Sequence, residues 1–238
     1  MATRSIDHCD TECFPVNLPC PLCRQSCNDG HLILSDSTRF KTVKDYYQCS
    51  RCSLIFIPKS QHLEPGEEKS RYDQHENSPL DSNYRQFLSQ LSEPVLNVIT
   101  PNSKGLDFGS GPGPALHLLF EEQGHSMHLY DPIYQPDTSV LCQTYDFIVS
   151  SETFEHFSDP ADEIWGCWAR LREGGCMGVM TLRYSSDLDF SQWHYRMDDT
   201  HVCFYMDATF KWIAWQLGAN ITWISNRVVL LHKTSPVR

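Results

Sequence analysis

The second half of the chain carries a regular order of apolar and polar runs. "GLDF" (105–108) is an apolar entry into a glycine-rich bend. "PALHLLF" follows, with Leu116, Leu119 and Phe120 at helical spacing before Gly124. That pattern predicts a buried strand, a tight loop and an amphipathic helix with a glycine stop. "HSMHLYD" reads as the next strand, ending at Asp131, and "YDFIVSS" as another, fully buried. "SDPADEIWGCWARLREGG" reads as a helix with Ser158 or Asp159 as cap, Pro160 in its first turn and Gly174 as stop. "CMGVMTL" is a further strand. The end reads as a helix over 207–217, then "NITWI" and "RVVLLH" joined by a Ser225-Asn226 turn. Strands alternating with helices predict an α/β fold on a mainly parallel sheet, closed by a terminal β-hairpin.

Upstream, "NYRQFLSQL" puts Tyr84, Phe87, Leu88 and Leu91 at helical spacing, with an expected end near Pro94. The polar stretch 61–82, with Pro65, Gly66 and Pro79, reads as a linker with little core of its own. Before it, "HLILS" and "DYYQC" are short strand-like runs. The expected organisation is therefore a small unit over 1–60, a linker and leading helix over 61–103, and the main domain over 104–238.

Composition narrows the class. The chain of 238 residues is long enough for one substantial core and a small appended unit. No run of about eighteen apolar residues exists, so no membrane span is expected. The start "MATRSIDHCDTEC" lacks the apolar stretch of a signal peptide, and a cytoplasmic protein is expected. The net charge of −11 is uneven: residues 1–60 hold seven basic and six acidic side chains, and the remainder twelve and twenty-four. That balance disfavours a broad nucleic-acid surface, which needs clustered Lys and Arg.

Seven of the eleven cysteines precede residue 53. In a reducing compartment this bias favours metal over disulfides. "CPLC" supplies Cys20 and Cys23, and "CSRC" supplies Cys49 and Cys52. Two C-x-x-C turns complete a tetrahedron of thiolates, which suits Zn²⁺ with sulfurs at about 2.3 Å and leaves no open position for catalysis. The arrangement resembles a zinc ribbon, although Arg24 and Ser53 stand where a glycine often follows each knuckle. Unligated or redox thiols are the alternative. Cys9, Cys13 and Cys27 receive no role.

The glycine bend decides the cofactor. Gly109, Gly111 and Gly113 are spaced G-x-G-x-G, where a dinucleotide fold wants G-x-G-x-x-G and finds Pro114 here. Pro112 and Pro114 carry no N–H, and Asp107 would oppose a phosphate while suiting a cationic amine. The stretch D-F-G-S-G-P-G resembles the first motif of class I S-adenosylmethionine-dependent methyltransferases. The resemblance spans roughly Gly105 to Lys233, and implies a Rossmann-like sheet with S-adenosylmethionine held by Asp107, Gly109, Ser110, Gly111 and Gly113. It implies that Asp131 accepts the ribose hydroxyls and that Ser150 and Glu152 complete the cofactor side. Only thirteen residues separate Asp131 from Tyr145, where this family usually fits a helix, a third strand and an adenine contact. "SVLCQ" is expected as a truncated third strand.

"SSETFEHF" (150–157) follows the buried strand, at the edge where α/β ligands sit. His156 is a candidate general base. Alternatively, E-x-x-E-H is similar to a segment of polyprenyl-dihydroxybenzoate O-methyltransferases that binds a divalent cation, which implies Mg²⁺ on Glu152, Glu155 and His156. Helix capping and packing is the third reading. The long aromatic segment 183–205 is expected to cover a substrate, with Trp193, Tyr195 and Tyr205 stacking or packing, and His201 as a second base candidate.

The leading expectation is methyl transfer to an oxygen, nitrogen or carbon nucleophile of a small or medium acceptor. A ribbon beside such a domain also resembles the rRNA guanine methyltransferases, so RNA is an alternative acceptor, disfavoured by charge. A non-catalytic cofactor-binding scaffold with the ribbon as a partner dock is the third. No membrane partner is expected.

Overall fold

The computed structural model describes residues 18–25, 31–37, 43–74 and 77–234; Cys9, Cys13 and Cys27 lie outside them. In chain order the elements begin with β1 (His31–Asp36), β2 (Lys44–Gln48) and β3 (Ile55–Phe56), then α1 (Pro65–Tyr72) and α2 (Ser82–Leu96). The main domain follows as β4 (Lys104–Phe108), α3 (Leu116–Glu121), β5 (Ser126–Tyr130), β6 (Tyr145–Ser151), α4 (Pro160–Arg170) and β7 (Leu171–Met180). It ends with β8 (Cys203–Phe204), α5 (Asp207–Leu217), β9 (Ala219–Trp223) and β10 (Val228–Lys233).

The larger sheet has the order β5-β4-β6-β7-β10-β9. Its first four strands are parallel, and the closing hairpin joins antiparallel through β10 on β7. This is the Rossmann-like methyltransferase sheet with its terminal hairpin, as the sequence predicts. Alternate side chains feed two cores. Phe147, Val149, Cys176, Met180, Val228 and Leu230 pack under α2 and α3. Ile148, Met177, Val179, Val229 and Leu231 pack under α4 and α5 on the other face. Burial on both faces explains the near-continuous apolar runs of these strands.

The amino-terminal unit shares that second core: Cys20, Leu22, Cys49, Cys52, Leu54 and Phe56 belong to the same buried cluster. Its sheet has the order β1-β2-β3-β8, so the last strand comes from far along the chain. Ile55 and Phe56 pair with Phe204 and Cys203. A further cluster of Tyr46, Ile55, Ile57, Phe190, Trp193, Tyr195 and Phe204 glues the 183–205 segment to this small sheet.

Four local expectations are corrected. Residues 138–142 form a 3₁₀ turn capped by the Asp137 carboxylate rather than a strand, leaving β5 at the sheet edge. The polar stretch before α2 contains α1, which starts on Pro65 at its first position and buries none of its side chains. Its lack of an apolar stripe hid it. α2 runs past Pro94, because buried Leu91 and Val95 hold its last turn and Asn97 N–H closes on Glu93 O at 3.1 Å. α4 stops at Arg170 rather than Gly174: Leu171–Gly175 already belong to β7, and Gly174 (φ +80°) bends that strand. Among the described residues, no helix is long and apolar enough to cross a membrane.

Candidate active site

The loops after β4, β5 and β6 open at one sheet edge into a cavity of about 810 Å³. α1, the start of α2 and the 198–201 stretch close its other sides. This is the crevice position expected for ligands of a parallel sheet.

The glycine loop after β4 is built for tightness. Gly109 has φ +81°, and a Cβ there would lie 2.1 Å from Thr153 Cγ2. Gly111 has φ +67° in open space, so its backbone angle alone demands glycine. The N–H groups of the loop's first three residues are already spent: Gly109 and Ser110 both donate to Tyr130 O, at 2.8 and 3.2 Å. Gly111 donates to Asp131 Oδ2 at 3.0 Å. With Pro112 and Pro114 lacking N–H, little remains to cradle a phosphate. Ser110 Oγ lines the cavity and is buried without a hydrogen-bond partner.

Asp131 sits at the end of β5. Besides Gly111, it accepts from Ile133 N at 2.8 Å and Tyr134 N at 2.9 Å through Oδ1. It also faces the cavity. Asp107 lies behind the loop, 2% exposed, and is absent from the cavity wall. Burial, then the Asp131 charge, pushes its carboxyl up to about 7. Gly113 and Ser150 likewise stand back from the wall. A Cβ on Gly113 would meet Asn77 O at 2.2 Å, and Ser150 Oγ donates to Phe108 O at 2.9 Å inside the sheet. Asp107, Gly113 and Ser150 thus support the loop from behind.

The segment after β6 turns sharply. Glu152 holds φ +47°, unusual for a side chain with Cβ, and its N–H donates to Met180 O at 2.7 Å. That turn aims its carboxylate at Arg227 Nη1, 3.1 Å away, and at Tyr195 Oη, 3.2 Å away. Glu152 is thereby engaged by Arg227 rather than by His156, so Glu152, Glu155 and His156 are not brought together as one ligand set. Glu155 is fully buried and accepts from Thr181 Oγ1 at 2.8 Å and from Tyr195 Oη. Desolvation pushes both carboxyls up to about 7.

His156 and His201 meet instead, with ring centroids 4.8 Å apart. His156 Nδ1 lies 3.1 Å from Thr200 O, and His201 Nδ1 lies 2.6 Å from Tyr195 O. A carbonyl only accepts, so each Nδ1 carries the proton and each Nε2 keeps a lone pair. Burial lowers both imidazoles, His201 to about 3. One ligand atom from each of Glu155, His156 and His201 lies within 4.8 Å of the others.

His201 is held there by the amino-terminal unit. Ile57 N donates to Val202 O at 2.9 Å, and Val202 N to Glu155 O at 2.8 Å. Lys44 Nζ, buried, donates to Asp199 O at 2.5 Å. The Arg196–Asp36 pair, 2.9 Å apart and nearly inaccessible on both sides, ties the same segment to β1. Trp193, Tyr195 and Tyr205 are absent from the cavity wall and pack inside instead. The cavity's aromatic faces are Tyr72, Tyr84, Phe87, Phe108, Tyr130, Tyr134 and Phe157. Tyr72 of α1 gave no sequence signal; its ring meets His156 edge-on, with centroids 5.2 Å apart.

The four cysteines converge. Cys20 and Cys52 sulfurs are 3.6 Å apart, and those of Cys23 and Cys49 3.5 Å. Four sulfurs at about 2.3 Å from one ion lie about 3.8 Å from each other, so the spacing fits a tetrahedral centre. Both knuckles share one geometry: Arg24 N on Cys20 O at 3.0 Å, and Ser53 N on Cys49 O at 2.9 Å. Arg24 and Ser53, in the glycine position, both adopt φ 60°.

Glu155→Gln provides a check on this electrostatic picture. The native carboxyl is raised from 4.5 to about 7, so its stabilising contribution is complete below 4.5 and lost as pH rises through 7. In buffer without added divalent ions, the Gln variant should gain stability over wild type at pH 8, and lose that advantage at pH 4.5. Urea unfolding at both values measures it; an advantage independent of pH would contradict the assignment.

The family model described as a methyltransferase domain matches residues 76–223. No curated protein matches the chain. Solved structures resemble it at low identity. An O-methyltransferase family protein from Burkholderia thailandensis matches at 13% identity and a TM-score of 0.47, covering 71% of this chain and 63% of that one. DesVI from Streptomyces venezuelae matches at 11% and 0.49, covering 73% and 100%. A SAM-dependent methyltransferase from Archaeoglobus fulgidus matches at 18% and 0.46, covering 58% and 70%. The chain thus spans less than two thirds of the Burkholderia protein's length.

Proposed function

The chain belongs to the methyltransferase domain family, and from that premise we propose that it transfers a methyl group from S-adenosylmethionine to a small or medium acceptor that must lose a proton. One observation carries this reading. A glycine loop with the N–H groups of Gly109, Ser110 and Gly111 already spent, flanked by Asp131 and backed by Asp107, opens into the same cavity as two neutral imidazoles.

The loop suits a ligand without phosphate, and Asp131 at the wall suits one carrying vicinal hydroxyls. Ser110 Oγ, unpartnered at the wall, offers a further hydrogen bond. The bound sulfonium would supply an already activated methyl group. The protein's part is alignment of the acceptor for in-line attack and handling of its proton. The acceptor's nucleophilic atom forms the new bond to the methyl carbon, the carbon–sulfur bond's electrons stay on sulfur, and the acceptor's proton leaves at the Glu155–His156–His201 wall. We also propose that Cys20, Cys23, Cys49 and Cys52 hold one structural zinc ion.

The wall's charge favours a small molecule over RNA. Glu68, Asp131, Glu152, Glu155, Glu163 and Asp198 line the cavity against a single Lys69; a polyanion meets repulsion there. Calorimetry with S-adenosylmethionine and NAD tests the cofactor, and binding of NAD alone would overturn it. Turnover on a panel of hydroxylated metabolites and RNA tests the acceptor. With no divalent ion in the cavity, the rate should rise with pH along a limb below the ordinary imidazole value of 6.5, since His156 is lowered by burial, and His156→Ala should flatten that limb.

A further inference from the structure

We propose that Glu155, His156 and His201 bind one divalent transition-metal ion in the cavity wall, separate from the four-cysteine centre. The ligand atoms of the three lie within 4.8 Å of one another. An ion at about 2.1 Å from each would draw them to roughly 3.4 Å apart, a closure within reach of small side-chain rotations.

The surroundings prepare each ligand. Both imidazoles donate through Nδ1 to backbone carbonyls, Thr200 O and Tyr195 O, which leaves Nε2 as the lone-pair atom and fixes each ring's orientation. Metal-binding histidines are typically oriented this way by their other nitrogen. Glu155 is fixed through both oxygens, one by Thr181 and one by Tyr195, and each oxygen retains a further lone pair. Tyr195 thus orients two of the three ligands, donating its hydroxyl to Glu155 and lending its carbonyl to His201.

The charge balance points the same way. A fully buried carboxylate beside two lone-pair nitrogens is an acceptor-only cluster, which a proton or a cation must neutralise. Arg227, the cation that reaches Glu155 electrostatically, is engaged by Glu152 at 3.1 Å. Two imidazoles and one carboxylate suit zinc, iron, nickel, cobalt or manganese, whereas Mg²⁺ prefers an oxygen shell. Three ligands on one side leave positions open toward the cavity.

The role of this ion rests on the methyl-transfer reading: an acceptor oxygen on an open position would lose its proton more readily. Binding itself does not depend on that reading, and the test reads binding. Zinc-loaded protein is titrated with Co²⁺, followed by visible absorption and by elemental analysis after dialysis, with S-adenosylmethionine binding measured in parallel. Expected is a further metal equivalent with ligand-field bands and no thiolate charge-transfer band. Glu155→Gln and His156→Gln should each weaken that uptake by at least about a hundredfold, beyond the effect typical of losing a supporting group, at unchanged zinc content. No uptake beyond zinc, uptake with thiolate bands only, or uptake unchanged in both variants would overturn the proposal. Cobalt uptake without S-adenosylmethionine binding would sink the methyl-transfer reading and leave the metal site standing; the reverse would sink the metal site alone.

Discussion

Removing the proposed zinc from the four cysteines, or replacing Cys49 by Ser, is expected to lower methyl transfer at least about a hundredfold rather than merely loosen the amino-terminal unit. The argument runs through packing. Cys20, Cys49 and Cys52 are buried in the same cluster as Ile148, Met177 and Val229 of the large sheet. β3, three residues past Cys52, pairs with β8, and Ile57 N–H holds Val202 O at 2.9 Å. His201 is the next residue. Unfolding of the knuckles would release β3, and with it β8 and the strap that presents His201 to His156. A displacement of about 1 Å at a reacting group can lower a rate about a hundredfold, so a fall of at least that size is expected. Turnover of chelated, zinc-reconstituted and Cys49→Ser protein measures it. Near wild-type kcat/KM in Cys49→Ser would remove the proposed zinc from the argument. The melting curve offers a second reading: one shared core predicts a single transition shifted down, not an early one for the small unit alone.

That dependence was not legible in the sequence, and the reason is topological. The near-continuous apolar runs of β4, β6, β7 and β10 announce a buried sheet because both of its faces are covered. The glycine loop announces its turn because Gly109 and Gly111 sit at positive φ. These signals are local. The partner of β3 is not: Cys203 and Phe204 lie almost 150 positions away from Ile55 and Phe56, and a two-residue strand has no period. His201 suffers the same way. It reads as one histidine among several in an aromatic segment, and gains meaning only where the Tyr195 carbonyl turns it beside His156, whose own ring meets the Thr200 carbonyl. Glu152 misled for the opposite reason. Its spacing to Glu155 and His156 suggested a shared face, but a left-handed backbone at Glu152 sends the carboxylate to Arg227. α1 escaped notice because a helix that buries none of its side chains leaves no stripe, although Glu68, Lys69 and Tyr72 line the cavity.

Asp131→Ala should weaken S-adenosylmethionine binding roughly tenfold to a hundredfold or more, and should also soften the glycine loop. The sequence motivates only the first effect, through the hydrogen bonds a strand-end carboxylate gives to ribose hydroxyls. Each bond to a charged partner is worth about 1.5–3 kcal/mol, or roughly one to two decades of affinity. The second effect comes from the partners present without ligand. Gly111 N, Ile133 N and Tyr134 N all donate to this carboxylate, and their loss would free the backbone of two cavity loops at once. Asp131→Asn separates the two. Its remaining oxygen can keep the Ile133 and Tyr134 contacts, while its amide cannot accept from Gly111. Cofactor affinity in Asp131→Asn should therefore fall between wild type and Asp131→Ala, with a melting temperature closer to wild type. Calorimetry gives the affinities and thermal unfolding the stabilities. Asp131→Ala with undiminished affinity would show that the cofactor does not use this end of the cavity, and would redirect the search to the acid-rich side around Glu68 and Asp198.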